Sequence, residues 1–404
     1  MILKETLKKI VRMQREDIAS VDTGVKREKL DLIDLNIPFA VVLSGIRRCG
    51  KSTLLKQLIQ KREKFYYFNF EDPRAVDFEL EDFERLNEIF LEEYGKSNYY
   101  FFDEIQNVPK WELFIRAMLD RNKHFFITGS NASLLSKELG TKLTGRHISY
   151  ELFPFSFKEF LKLKGKKANM KSFKEYFLSG GFPQYLKIEK SEILQELFND
   201  IVNRDVAVRH NIRNVKALRQ LALFLISNIG KEFSYNSLKN MFNLGSINSI
   251  ISFISYFEDS YMIFSVPKFD YSMKKQIINP KKVYSIDNGF SKVNSASFSE
   301  DKGKMLENMV FIELRKKFKD IFYFQKTKEC DFVVKERTKI TQAIQVCYDL
   351  NDNNKDREIS GLVIALKEFG LDEGKILTYD QEDKITIDKK TVNIVPAWKW
   401  MMNN

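Results

Sequence analysis

The run Val41-Val42-Leu43-Ser44-Gly45-Ile46-Arg47-Arg48-Cys49-Gly50-Lys51-Ser52-Thr53 constrains this chain more than any other stretch. An apolar segment enters the pattern Gly-x-x-x-x-Gly-Lys-Ser, and Leu54-Leu55-Lys56-Gln57-Leu58-Ile59 continues with helical spacing. Strand, glycine-hinged turn and helix in that order make a phosphate-binding loop. The glycines let backbone N–H groups turn inward, and the helix adds the positive end of its dipole. Lys51 is expected to reach the β- and γ-phosphates, and Ser52 to offer its hydroxyl to Mg²⁺. Gly45, Ile46, Arg47, Arg48, Cys49, Gly50, Lys51, Ser52 and Thr53 are therefore the expected nucleotide-binding residues, with ATP and Mg²⁺ as the expected ligands.

A second segment points to hydrolysis rather than binding alone. Asn98-Tyr99-Tyr100-Phe101-Phe102-Asp103-Glu104-Ile105 is an aromatic strand ending in two acids. Asp103 is expected to hold the Mg²⁺ through water, opposite Ser52, and Glu104 to polarise the attacking water. Two carboxylates at the end of a buried strand are costly without a cation or hydrogen-bond partners. Phe125-Phe126-Ile127-Thr128-Gly129-Ser130-Asn131 is a further strand whose polar end suits a sensor of the γ-phosphate. The sequence does not choose among Thr128, Ser130 and Asn131; Ser130 and Asn131 are carried as the catalytic candidates.

With 404 residues the chain exceeds one ordinary domain. Hydrophobic content of 44 % beside 30 % charged residues describes a soluble globular protein, and no apolar run approaches the roughly 18 residues that span a bilayer. The N-terminus alternates charge with apolar residues and lacks a signal peptide's apolar core. A cytoplasmic protein without membrane contact is expected. Cys49, Cys330 and Cys347 are not paired in spacing, and with three histidines in the chain a His/Cys zinc site is not expected. Lys plus Arg exceed Asp plus Glu by 66 to 55, a net charge of +11, which favours polyanion contact.

Along the chain, residues 1–30 read as a charged helical lead-in. From Pro38 to Ile148 strands Phe39–Leu43, Phe65–Phe70, Tyr99–Phe102 and Phe125–Thr128 alternate with helices, which argues a parallel sheet with its site at the strands' C-terminal ends. Lys162–Lys174 reads as a solvated loop, and Leu194–Val208 as one long helix crossing to the next domain. Residues 214–290 read as three helices followed by strands Tyr261–Val266 and Ile277–Tyr284, a winged-helix arrangement. Its third helix, Ile247–Phe257, has no basic residue to read base edges, whereas Lys268, Lys274, Lys275, Lys281 and Lys282 gather on the wing. Met305–Trp400 alternates helix and strand again.

The loop Gly45–Ser52, the acids Asp103-Glu104, the strand end Thr128–Asn131, Leu143-Thr144-Gly145-Arg146, Leu152-Phe153-Pro154-Phe155-Ser156-Phe157-Lys158-Glu159-Phe160 and Gly180-Gly181-Phe182-Pro183 occur in this order. As a set they resemble the archaeal-type AAA+ ATPases, in which a P-loop core precedes a winged helix and a nuclease-like tail. The resemblance spans nearly the whole chain. It implies an α/β fold: a parallel-sheet ATPase core (1–160), a helical lid and connector (161–213), an α-rich winged helix (214–293) and an α/β restriction-endonuclease-like domain (305–404). It also implies a homo-oligomer, a ring among the options, in which a neighbour's arginine completes each site; Arg146 is the candidate, with a pairing inside its own subunit as the alternative. In the tail such folds use an acid, then an acid-x-lysine on the next strand. Glu307 and Asp331 stand where acids are wanted, but the acid-x-lysine reads Gln345-Val346-Cys347. Nuclease activity is not expected, although Lys335 or Lys339 are available as substitutes. The reading is a Mg²⁺-dependent ATPase acting on or near double-stranded DNA without sequence specificity. Its rivals are a slowly hydrolysing nucleotide switch or scaffold for protein partners, and a DNA-processing ATPase-nuclease.

Overall fold

A computed structural model describes residues 1–20, 22–129, 145–297 and 301–403. The chain divides into two compact units, Met1–Phe153 and Pro154–Asn404.

The first unit is a layered α/β domain. Helix α1 (Lys4–Ser20) turns Leu7, Ile10 and Val11 inward, into one apolar cluster with Leu86, Ile89 and Phe90 of α3 (Asp82–Tyr94). Charged residues on its other positions pair with that same helix, Lys4 with Glu92 at 2.7 Å and Lys8 with Glu93 at 2.9 Å. The sheet contains β1 (Ala40–Gly45), β2 (Tyr66–Asn69), β3 (Tyr99–Asp103), β4 (His124–Gly129) and β5 (His147–Leu152). Their order is β2-β3-β4-β1-β5 and every pairing is parallel. Helices α2 (Lys51–Ile59), α3 and α4 (Trp111–Leu119) provide crossovers, as parallel neighbours require. Strands covered on both faces become continuous apolar runs. Val41, Val42, Leu43, Phe101, Phe102, Phe125 and Phe126 are all buried, with Phe101 stacked on Phe126 at 4.8 Å between ring centroids. The four strands expected from the sequence correspond to β1 to β4, and His147–Leu152 is not among them. It is instead the edge strand beside β1, because residues 40–45 pair with residues 147–152 in register.

The second unit opens with helix Phe157–Lys164, begun by a capping box in which Ser156 Oγ accepts from the Glu159 N–H at 3.2 Å and Glu159 Oε2 from the Ser156 N–H at 3.0 Å. Helix Met170–Ser179 follows. The lysine-rich stretch 162–174 is therefore helical at both ends, a correction to the loop reading; apolar Phe160, Leu161, Phe173 and Phe177 anchor those helices while their lysines face water. Gly181 is obligatory for packing, since a Cβ there would lie 2.2 Å from the Phe155 carbonyl oxygen. Residues 192–208 are one helical run, α-wound over Glu192–Asp200 and π-wound over Ile201–Val208, lying within this unit.

Residues 215–285 run helix Val215–Ser227, β6 (Glu232–Phe233), helix Tyr235–Met241, helix Ile247–Asp259, β7 (Ile263–Pro267) and β8 (Lys281–Ser285). The small sheet has the order β6-β8-β7. Ile277 and Ile278 belong to a short helix, Met273–Ile278, and not to the second wing strand. The C-terminal part surrounds a mixed sheet of order β13-β14-β12-β11-β10-β9, comprising β9 (Ile321–Gln325), β10 (Glu329–Glu336), β11 (Lys339–Val346), β12 (Glu373–Thr378), β13 (Asp383–Ile387) and β14 (Lys390–Pro396). Helix Lys355–Phe369 covers one face through Ile359, Leu362, Val363 and Leu366, and helix Lys302–Arg315 is buried over most of its length. Among the described residues no helix is long and apolar enough to cross a membrane.

Candidate functional site: a phosphate-binding loop and its acids

The loop leaves β1 at Gly45, whose φ is +150°; a Cβ there would stand 2.1 Å from the carbonyl oxygen of Leu152 at the end of β5. Only glycine allows that approach. Arg48 (φ +63°) and Gly50 (φ +102°) also have positive φ, so successive backbone N–H groups can converge on the same concavity. Gly50 immediately precedes α2, which brings the helix's positive end to the loop. Lys51 is buried, and its ammonium donates to the carbonyls of Gly45 at 3.0 Å and Ile46 at 3.1 Å. Cys49 is fully buried and burial pushes its thiol pKa up, which matches a small residue that fits rather than a reactive one.

Arg27 holds this loop from below, a role with no signal in the sequence beyond a basic residue in a charged lead-in. Its guanidinium is buried, donating to the Cys49 carbonyl at 2.6 Å and to the Phe153 carbonyl at 2.8 Å. The planar fork reaches both at once, which a lysine would not do. Arg47 lies with Nη1 3.9 Å from Glu71, while Ile46 is buried and Thr53 half-buried on the first turn of α2.

The acids come from the end of β3, with β4 lying between it and β1 in the sheet. Ser52 Oγ donates to Asp103 Oδ1 at 3.1 Å, so the two expected metal ligands touch. Tyr67 donates to Asp103 Oδ2 at 3.4 Å. Burial, with the charge of Glu104 beside it, pushes the Asp103 pKa up, against the hydrogen bonds from Thr128 and Ser52. A divalent cation inverts that balance. Glu104 follows at φ +53°, ψ +44°, a left-handed conformation that costs a non-glycine residue about 1–3 kcal/mol and persists where surrounding structure enforces it. Gln106 Nε2 donates to its carboxylate at 2.5 Å.

Thr128, at the end of β4, ties the two acids together. Its hydroxyl donates to Asp103 Oδ1 and accepts the Glu104 N–H at 2.9 Å. Ser130 and Asn131 lie outside the described residues. Arg146, at the head of β5, pairs through Nη1 with Asp120 of the same chain at the end of α4, both side chains about half exposed.

In the second unit, Glu307 and Asp331 do converge, and a lysine joins them from an unexpected place. Lys335 and Lys339 stand at the far end of the β10–β11 hairpin, where Lys335 opposes Ile340 and Lys339 opposes Glu336. The ammonium at the acids is that of Lys282 on β8. One of the lysines gathered there is turned inward, a correction to the expected polyanion-facing surface: Lys282 is buried, whereas Lys281 is half-buried and donates to the Ile277 carbonyl at 2.8 Å.

Residues 38–161 match the model of a family described as an AAA domain. Over its whole length the chain is 38 % identical to an uncharacterized protein of Methanocaldococcus jannaschii, covering 96 % of that relative. The chain belongs to the AAA+ ATPase family. A second relative of this AAA+ protein, an uncharacterized protein of Haemophilus influenzae, is 30 % identical over 79 % of the chain and 85 % of its own length. Residues 170–296 and 302–400 match two domains of unknown function, DUF8612 and DUF4143. Among solved structures, replication initiator DnaA bound to AMPPCP and single-stranded DNA is similar over 62 % of this chain and 91 % of that one, at 16 % identity and a TM-score of 0.29, too distant to bear on function.

Proposed function

We propose that this AAA+ protein hydrolyses ATP with Mg²⁺ at the C-terminal ends of β1, β3 and β4. The observation that carries the reading is the contact of Ser52 Oγ with Asp103 Oδ1 at 3.1 Å, beside the buried Lys51 and the glycine-hinged loop. The donor set suits Mg²⁺: a hydroxyl and a carboxylate, both hard oxygens, with the carboxylate buried and its pKa raised. Ser52 and Asp103 would hold the cation, whose charge would offset that developing on the terminal phosphates. Lys51 and the loop N–H groups bind and orient those phosphates. Glu104 orients the attacking water and takes up its proton, held in place by Thr128 at its own N–H. Lys51→Ala is expected to abolish ATP binding in a fluorescent-nucleotide titration. Glu104→Gln keeps binding but turns over about 100-fold or more slowly, the usual worth of a placed general base. Glu104→Gln turnover at the wild-type rate sinks the assignment.

The same reading extends to self-assembly. The Arg146–Asp120 pair is exposed on both sides, and pairs of that kind hold weakly. Its guanidinium is therefore free to exchange a carboxylate for the terminal phosphate of ATP in a neighbouring copy, where it would stabilise transferred charge. Contact with duplex DNA rests on the net charge of +11 and on Lys274 and Lys275, not on the buried Lys282.

A further inference from the structure

We propose that Lys282 takes the place of a divalent cation at the nuclease-like carboxylate centre of the second unit, making that centre a metal-free clamp between β8 and the C-terminal sheet. Lys282 Nζ stands 3.1 Å from Glu307 Oε1, 2.6 Å from Glu329 Oε1 and 3.1 Å from Asp331 Oδ1. An ammonium has three N–H donors, and here three carboxylates from two elements, helix Lys302–Arg315 and β10, receive them. The lysine side chain is 2 % exposed and those of Glu307 and Asp331 are 4 % and 6 % exposed. A lone ion at such depth is prohibitively costly, and here the ammonium offsets part of the charge of the three carboxylates.

The second oxygens of Glu307 and Asp331 are also engaged. Tyr284 donates to Glu307 Oε1 at 2.6 Å and Lys304 to Glu307 Oε2 at 2.7 Å. Asp331 Oδ2 accepts the Val346 N–H at 3.0 Å. Gln345, standing where the second acid is wanted, accepts the Asp331 N–H at 3.1 Å and donates to Glu358 at 2.6 Å. A neutral amide does both, whereas a carboxylate there would face Glu358 with like charge. Metal–oxygen contacts run about 2.0–2.6 Å, so a cation shared by Glu307 and Asp331 would occupy the volume of Nζ itself. Among the described residues no group of three His, Cys, Asp or Glu is placed to hold a metal. A cavity of about 730 Å³ opens beside the cluster, lined among others by Lys304, Glu329, Cys347 and Arg357; solvent reaches the centre's edge, and the lysine rather than lack of access keeps metal out.

The test uses Mn²⁺ on nucleotide-free full-length protein, read by electron paramagnetic resonance and by thermal melting. Wild type is expected to show no bound Mn²⁺ that Glu307→Gln removes. Lys282→Met, isosteric without the charge, should melt several degrees lower, regain most of that loss in millimolar Mn²⁺, and lose the rescue when Glu307→Gln is added. Lys282→Arg keeps a cation and should remain blind to Mn²⁺. The proposal is overturned by a wild-type Mn²⁺ site that Glu307→Gln abolishes, by Mn²⁺ binding at that centre in Lys282→Arg, or by a Lys282→Met protein that melts like wild type. A folded Lys282→Met protein without Mn²⁺ rescue overturns it too. If Lys282→Met does not fold, the wild-type and Lys282→Arg arms decide.

Discussion

The hydroxyl of Thr128 is the smallest group on which the site depends, because it serves two acids with one oxygen. Valine keeps the shape and removes the hydroxyl, leaving the Glu104 N–H and a buried Asp103 oxygen each short of a partner. Thr128→Val should cost about 1–3 kcal/mol of stability by denaturant titration. It should also lower ATP turnover by about 10-fold or more, since a loosened Glu104 no longer holds water in line. Unchanged turnover would show that Thr128 only packs. A second residue sets a pH dependence. Asp287 is buried, accepting from the N–H groups of Gly181 at 2.6 Å and Phe290 at 2.9 Å, and burial pushes its pKa to about 6. Those backbone donors and Lys316 oppose the shift, while Glu313 lines the same small cavity. The folded state therefore holds this proton more tightly than the unfolded chain, so stability falls as pH rises toward and past 6. Between pH 5 and pH 7 the loss from this group is roughly 1 kcal/mol. Asp287→Asn should flatten that part of the wild-type stability profile; an unaltered profile would remove Asp287 as its source.

Among the elements, β1, the loop and β5 meet at close quarters. Gly45 sits against the Leu152 carbonyl, and Arg27 clips the loop to Phe153 from the other side. The phosphate cradle is therefore built by a strand that comes more than a hundred residues later. Gly45→Ala forces either the loop or β5 to move, since the added Cβ would meet backbone at 2.1 Å. Overpacking against backbone costs typically 1–3 kcal/mol, and the loop's N–H groups would no longer converge. Nucleotide affinity in Gly45→Ala should fall by about 100-fold or more in a fluorescent-ATP titration, with a lowered melting temperature. Wild-type affinity would show that the loop tolerates displacement of β5.

At the scale of the whole molecule, assembly is the open variable that the surface pair Arg146–Asp120 addresses. If Arg146 completes a neighbour's site, Arg146→Ala should reduce turnover by about 10³-fold or more while nucleotide affinity stays within a few-fold of wild type. Mixing it with Lys51→Ala should restore part of the activity, because some interfaces then carry an intact loop facing an intact arginine. Mixtures that stay inactive while subunits demonstrably exchange would return Arg146 to its pairing with Asp120.

What the sequence by itself determined is what lies close together along the chain. Gly45–Thr53 spell a loop whose function needs only a strand before it and a helix after it. Asp103-Glu104 ends a strand too apolar to be anything but buried, and the alternation of strands and helices in the first unit follows from local periodicity. The tertiary structure alone decided which distant groups meet. Arg27 under the loop, Thr128 across two acids, His147–Leu152 as an edge strand and Lys282 among three carboxylates are all settled by partners far away in sequence. No periodicity encodes these, since a lysine on a wing strand reads the same whether it faces phosphate or a buried acid. The physical reason is that a charged side chain is placed by the cost of desolvating it, and that cost depends on which oxygens the fold brings to it.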